Sequence, residues 1–263
     1  MGYGDEIMAS AEIRAAKEKN PESQIVVGDG SPFPWVEQQS LIFQNNPNVT
    51  HPKKVQASKP ITYVKNFPGR RPYAQRFLND RIIFSNYRPA KGNIFFSEEE
   101  TERLKSLQEK FSKYVLLNPH VKGSFSGANK DWGIKKWKAL SQTLKDQNVN
   151  LIQAELNQEA KLPECEQFKT QSFRDMCLLI SAVDVVVTSE GGVHHAAAAL
   201  DKNAVVIFGG RSSPYNLGYD FHRNIYVDGP ESPCGKNVHC DHCRTSMNSI
   251  SVELVSQQAQ ELQ

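Results

Sequence analysis

The sequence lacks any run approaching the roughly 20 consecutive apolar residues that a membrane-spanning helix requires. Its opening, Met1-Gly2-Tyr3-Gly4-Asp5-Glu6, has neither the basic start nor the apolar core of a secretory signal, so the expected location is cytoplasmic. Cysteine is scarce. Cys165, Cys177, Cys234, Cys240 and Cys243 are an odd number spread over 263 residues, which argues against a disulfide framework and for reduced thiols. Internal repeats and low-complexity segments are absent. The chain is long enough for two modest domains or one large one.

A large excess of one charge is also absent overall, at +2, yet the middle of the chain is lopsided. From His51 to Lys91 ten basic residues (Lys53, Lys54, Lys59, Lys65, Arg70, Arg71, Arg76, Arg81, Arg88 and Lys91) accompany a single acid, Asp80. Such a segment either attracts an anionic partner or is a solvated basic face. No nucleic-acid-binding motif accompanies the charge, so nucleic acid is not the expected partner. A phosphorylated glycolipid, a nucleotide or an acidic membrane surface would all suit the charge.

What is present is an alternation of helices and strands. Asp5 to Asn20 reads as a helix with Asp5 as its cap, Ile7, Ala11 and Ala15 on one stripe, and Pro21 as its end. Gln24-Ile25-Val26-Val27 follows as a buried strand, closed by the turn Gly28-Asp29-Gly30. The strand expected ahead of this helix in a βαβ unit is not in the sequence, which predicts either a truncated start or a reduced N-terminal lobe. Between Ser31 and Gly92 only Arg81-Ile82-Ile83-Phe84 reads as a strand, and the interlobe connection is expected near Pro89 to Phe96. Two units result, 1–96 and 97–263.

The second unit is regular. Ser97 and Glu100 form a capping box for a helix carrying Leu104, Leu107, Phe111 and Tyr114. Strands are predicted at 115–117, 149–153, 184–187 and 204–208. Helices fall at 173–182, at 193–200 and around Ile134, Trp137, Leu140 and Leu144. Apolar strands without two-residue alternation indicate a parallel sheet covered on both faces. Ligands then bind beyond the carboxyl ends of the strands, in the loops after Leu117, Gln153, Val187 and Phe208.

The sharpest chemical signal lies in those loops. Thr188-Ser189-Glu190-Gly191-Gly192-Val193-His194-His195 runs from strand to helix through two glycines, and a helix start of this kind favours an anion. An Ala-rich helix follows, then Ala204-Val205-Val206-Ile207-Phe208-Gly209-Gly210-Arg211-Ser212-Ser213-Pro214. This block resembles family 9 glycosyltransferases, the group containing bacterial ADP-heptose:lipopolysaccharide heptosyltransferases. The family motif runs Asp-Thr-Gly, two residues, His, an Ala-rich helix and an apolar strand; here Glu190 stands for the Asp, Gly191 for the Thr, Gly192 for the Gly and His195 for the His. Asn118-Pro119-His120, the loop containing Gly123, Ser124, Ser126, Gly127 and Asn129, and Lys130-Asp131-Trp132-Gly133 look like the family's segment before a Trp-bearing helix. Gly2-Tyr3-Gly4-Asp5-Glu6 looks like its Gly-Asp turn.

The resemblance implies a GT-B fold, two Rossmann-like lobes facing across a cleft, and an inverting glycosyl transfer from a nucleotide-sugar. Asp5 would be the general base, with Lys130, Glu190, Gly191, Gly192, His195 and Gly209 on the donor. Lys130 and the helix start would take the leaving diphosphate, so no metal or other cofactor is expected in the reaction. Arg70 and Arg71 are candidates for an acceptor phosphate. Each assignment has a plainer alternative: Asp5 as a cap, Glu190 as a helix-terminus partner, His195 as a core histidine, Lys130 as a solvated lysine. Trp132 and Trp137 read as packing. An epimerase or hydrolase, or a non-catalytic nucleotide- or glycan-binding module, are the competing functions. Cys234, Cys240 and Cys243 resemble the family's Cys-dotted C-terminal segment; with His239 and His242 they also have the composition, though not the usual spacing, of a zinc site.

Overall fold

A computed structural model describes residues 2–28, 40–66, 70–121, 123, 127–155 and 161–263. The expected turn residues Asp29 and Gly30, and the loop residues Ser124 and Ser126, lie outside the described residues.

The chain opens with helix α1 (Tyr3–Lys19) and strand β1 (Gln24–Gly28), which pairs in parallel with β2 (Ile61–Lys65). Val49 adds a parallel bridge to Ile25 on the strand's other side. Strands β3 (Ala74–Leu78) and β4 (Arg81–Phe84) form an antiparallel hairpin. Helix α2 (Glu98–Phe111) then leads into β5 (Tyr114–Asn118), helix α3 (Ile134–Asp146), β6 (Asn150–Glu155) and β7 (Glu166–Lys169). Next come α4 (Phe173–Ala182), β8 (Val185–Ser189), α5 (Gly192–Ala199), β9 (Asn203–Gly209), α6 (Pro214–Leu217) and β10 (Arg223–Tyr226). Helices α7 (Asp241–Ser249) and α8 (Val252–Gln260) close the chain.

Strands β5 to β10 make one six-stranded parallel sheet in the order β10-β9-β8-β5-β6-β7. The chain leaves β5 towards one edge and resumes at β8 towards the other, so the winding reverses between those two strands. Open parallel sheets bind ligands at that reversal, beyond the strand ends. Alternate residues feed opposite faces. Leu116, Ile152, Val186 and Val206 join one core with α4 and α5, while Val115, Leu117, Val187 and Ile207 join a second core with α3 and α8.

The N-terminal lobe is small, as expected, and shares the first of those cores. Ile7, Met8 and Ile13 of α1 and Ile25 and Val27 of β1 pack in the same cluster as Met176, Ala196 and Val206. Burial of α1 therefore extends beyond a single stripe: 6–11 are all buried, whereas Ala15, expected on the apolar stripe, is exposed. Its start also differs from expectation. Gly2 is the N-cap and Asp5 sits three residues in, its carboxyl reaching back to the Gly2 backbone amide. At α2 the capping box between Ser97 and Glu100 forms as read, and Tyr114, expected on that helix, begins β5.

Candidate donor site at the meeting of two helix starts

The carboxyl ends of β5 and β8 are tied together where the winding reverses: Asn118 Nδ2 donates to Thr188 Oγ1 at 2.9 Å. Beyond β8 the chain turns through Glu190 and Gly191 into α5. His194 Nδ1 accepts the Gly191 N–H at 2.8 Å, and His194 Nε2–H donates to the Leu217 carbonyl at 2.8 Å. His194 thus fixes the turn, and the next amides of α5 have no acceptor within the helix. A Cβ on Gly191 would meet no atom within 4 Å, so the backbone there is open to a ligand.

Gly192 faces the start of α1: a Cβ on it would lie 3.5 Å from the Gly4 nitrogen and 3.5 Å from Tyr3 Cβ. Gly4 in turn rests on His195, and a Cβ there would come within 2.7 Å of the imidazole Cδ2. Two helices therefore present their starts at one place, and their partial positive charges add. Tyr3 stacks on Phe173 at 4.1 Å between ring centroids, which seals the same contact.

Around that meeting point the charged side chains converge. Lys130 Nζ lies 2.6 Å from Glu190 Oε2, which also accepts from Ser212 Oγ at 2.9 Å. Arg71 Nη1 lies 3.3 Å from Asp5 Oδ2. Burial alone would raise the Glu190 pKa, but Lys130, His194 and Arg211 outweigh it and pull it to about 2. Burial pushes Lys130 down, with the Glu190 carboxylate 2.6 Å away opposing it. Asp5 is raised by burial, against the pull of Arg71, the Gly2 amide and Lys130. The neighbouring Glu6 is pushed up to about 7 by burial, with Ser40 Oγ 3.4 Å away. Three basic side chains, Lys130, Arg71 and Arg211, thus stand against two acidic ones, Asp5 and Glu190.

The sequence-predicted residues do not all play one part. Asp5, Lys130, Glu190, Gly191 and Gly192 come together, and Arg71 joins them. Arg70 does not: its Nη2 grips both Glu12 oxygens, at 2.8 and 2.9 Å, on α1. His195 is only 2% exposed and pairs through Nδ1 with the Tyr219 hydroxyl at 2.9 Å. Gly209 has φ of +60°, and a Cβ there would strike Met247 sulfur at 2.8 Å, so its immediate duty is packing at the end of β9. Trp132 and Trp137 are buried edge-to-face, as read, with Trp132 Nε1 donating to the Ile250 carbonyl at 3.1 Å.

Sequence reasoning missed Arg211, Ser212 and Tyr73. The first two follow Gly209-Gly210 directly, so their position after a strand end was a usable signal. Tyr73 was not signalled; burial raises its phenol, and both Asp5 and Glu190 act on it electrostatically. Ser189 Oγ, at the end of β8, is buried without a hydrogen-bond partner. Glu190, His194 and His195 also lie close enough to share a metal. Both His194 nitrogens and the His195 Nδ1 are already engaged, and Glu190 is held by Lys130 and Ser212, so that donor set does not suit one. A surface hollow of about 320 Å³, lined by Gln44, Asn45, Ser97, Glu99, Glu100 and Arg103, contains none of these groups.

A doubly wound parallel sheet whose charged side chains and helix starts gather at its reversal point defines an α/β protein of the kind that binds ligands beyond its strand ends. Within that class the chain belongs to glycosyltransferase family 9 (heptosyltransferase), whose family model matches residues 85–241. Among solved structures it is similar over its whole length to a family 9 glycosyl transferase from Veillonella parvula, covering 94% of that chain at 13% identity with a TM-score of 0.66. It also resembles E. coli ADP-heptose LPS heptosyltransferase II (19% identity, 66% of this chain and 54% of that one, TM-score 0.48). A third match is E. coli heptosyltransferase WaaC with ADP (14% identity, 67% and 52%, TM-score 0.48). The chain spans about half the length of the two E. coli enzymes. No curated protein sequence matches it. Among the described residues no helix is long and apolar enough to cross a membrane.

Proposed function

We propose that this protein transfers a sugar from a nucleotide-sugar donor to a hydroxyl of an anionic glycan or lipid-linked acceptor, inverting the anomeric centre. The observation that carries this reading is the convergence of Asp5 with the Lys130–Glu190 pair at the joined starts of α1 and α5. The donor diphosphate lies against the free amides of α5 and the Lys130 ammonium. Glu190 holds that ammonium in place, leaving its other protons for phosphate oxygens.

An acceptor hydroxyl is a poor nucleophile until its proton is removed in the transition state. Asp5, raised by burial yet restrained by Arg71, is placed to take that proton. The acceptor oxygen bonds to the anomeric carbon as the carbon–oxygen bond to the diphosphate breaks. The negative charge that develops on the diphosphate falls where Lys130 and two helix starts already favour it, and this step needs no metal. His195 acts here as a positioning residue, carrying Gly4 and hence the start of α1. Lys53, Lys54, Lys59, Lys65 and Arg76 are exposed and suit an anionic acceptor or a membrane surface bearing it.

The test is donor consumption with and without a phosphorylated glycolipid acceptor, in wild type and Asp5→Asn. The expected result is acceptor-dependent turnover that falls by about 10²–10⁴-fold in the variant while nucleotide affinity holds. Acceptor-independent donor hydrolysis would favour a hydrolase, and nucleotide binding without turnover a binding module.

A further inference from the structure

Away from the charged centre, the segment after β10 and the first turn of α7 gather three of the five cysteines into a cluster of their own, apart from both cores. Cys234, Cys240, His242 and Cys243 place one ligand-type atom each within 4.8 Å of one another. Cys234 Sγ lies 2.9 Å from Cys243 Sγ and 4.0 Å from Cys240 Sγ, and all three thiols are free and buried. His242 Nε2 lies 3.2 Å from Ser232 Oγ, while His242 Nδ1 is buried with no hydrogen-bond partner. A buried, unpaired ring nitrogen is unfavourable unless something binds it. With the proton on Nε2 and directed at Ser232, the bare Nδ1 lone pair matches a metal-bound imidazole steadied by a second hydrogen bond.

We propose that Cys234, Cys240, His242 and Cys243 form a structural site for one zinc ion. Three sulfurs and one imidazole nitrogen suit tetrahedral zinc, with bonds of about 2.3 Å to sulfur and 2.0–2.1 Å to nitrogen. Tetrahedral bonds of that length set sulfur atoms roughly 3.8 Å apart. Cys240 already stands near that distance from Cys234, and Cys243 reaches it by a side-chain adjustment of about 1 Å. On binding, each thiol releases its proton to solvent. All four donors are supplied by the protein, so the ion is structural, with no position left for substrate.

Its place in the fold gives the ion a task. The Cys234 amide donates to the Gly210 carbonyl and the Gly235 amide to the Arg211 carbonyl, both at 3.0 Å. Arg211 returns bonds to the Lys236 carbonyl and Asn237 Oδ1, and Asn129, beside Lys130, binds the carbonyls of Lys236 and Val238. The Ile82 amide reaches the Gly235 carbonyl from the N-terminal hairpin. The ion therefore staples the loop on which Arg211, Asn129 and β4 all lean.

The test is elemental analysis of the whole protein, purified under reducing conditions without chelator. About one zinc per chain is expected. Cys243→Ser should lose it, and Cys165→Ser, which removes a cysteine outside the cluster, should keep it. If Cys243→Ser does not fold, wild-type protein stripped of metal should take up one Co²⁺ and show the visible spectrum of tetrahedral thiolate coordination. A metal-free wild type that takes up neither Zn²⁺ nor Co²⁺ would overturn the proposal, as would a Cys234–Cys243 disulfide in peptide maps of native protein. Iron at the same stoichiometry would overturn the choice of zinc. None of these readouts uses a nucleotide, so the outcome is independent of the transferase reading.

Discussion

The two ends of this molecule are organised by different forces. Residues 97–263 close a six-stranded sheet between two cores, whereas the N-terminal residues supply two parallel strands, a hairpin and α1, and complete their burial in the first of those cores. Ion pairs flank the junction: Lys91 pairs with Asp201 across it, while Arg70 with Glu12 and Arg71 with Asp5 lie within the small lobe. Magnitudes show that they do not hold it. Exposed pairs contribute about 0–1 kcal/mol each. Burying Ile7, Met8 and Ile13 contributes roughly 1.5–3 kcal/mol per side chain. The small lobe is docked by apolar packing, and its charges do the orienting. Three of the ten basic residues between His51 and Lys91 are engaged in this way, which explains part of an excess that looked in sequence like a single anion-binding patch.

The contrast between the two halves can be broken most forcefully at Lys130. Lys130→Ala leaves Glu190 buried without its ammonium, and unfolding titrations should show a loss of about 3–5 kcal/mol. Adding Glu190→Gln should recover much of that stability, because the unpaired charge is gone, without recovering nucleotide binding. A milder cut goes through the docking itself. Gly4→Ala drives a methyl into His195 and should cost about 1–3 kcal/mol, read as a lowered thermal midpoint of the whole chain in one transition. Two separated transitions would mean that the lobes are energetically independent.

Acidity sharpens the same comparison. Glu6 has a folded pKa of about 7 against 4.5, so the folded state binds its proton more tightly and stability falls as pH rises from about 4.5 to 7. Glu6→Gln should flatten that decline, read as an unfolding free energy that changes less between pH 5 and pH 8. Glu190 runs the other way: its folded pKa of about 2 contributes stability that is complete above about 4.5 and is lost as pH falls towards 2. The smallest effect is expected from Lys91→Ala, within about 1 kcal/mol, since its pair with Asp201 is exposed. A loss of several kcal/mol there would show that ion pairs, not packing, dock the small lobe.

Legibility in the sequence followed the same division. The helix at 173–182 and the strands around β5, β8 and β9 could be read because central parallel strands are apolar on both faces and helices there begin with recognisable caps. β7, Glu166-Gln167-Phe168-Lys169, was missed because an edge strand need bury little. β2 was missed for a related reason, since only Val64 of its five residues is buried. Asp5 was placed as a cap because Tyr3 and Gly4 give no sign that they are helical; the contact with His195 that holds them there is made 191 residues away in sequence. In the site, Lys130 and Glu190 were legible from motif context. Arg71 was named for a different task, and Tyr73 was passed over, because a proline-rich stretch has no periodicity to show which side it turns to the centre.

The central claim is that the meeting of α1 and α5 around Lys130 is a donor diphosphate site. Calorimetric titration of ADP, UDP and GDP into the wild type and into Lys130→Ala/Glu190→Gln tests it most directly. The account predicts that one nucleoside diphosphate binds the wild type selectively and binds the folded double variant at least about tenfold more weakly. Equal affinity in the two proteins, or no binding by a wild type that unfolds cooperatively, would contradict it.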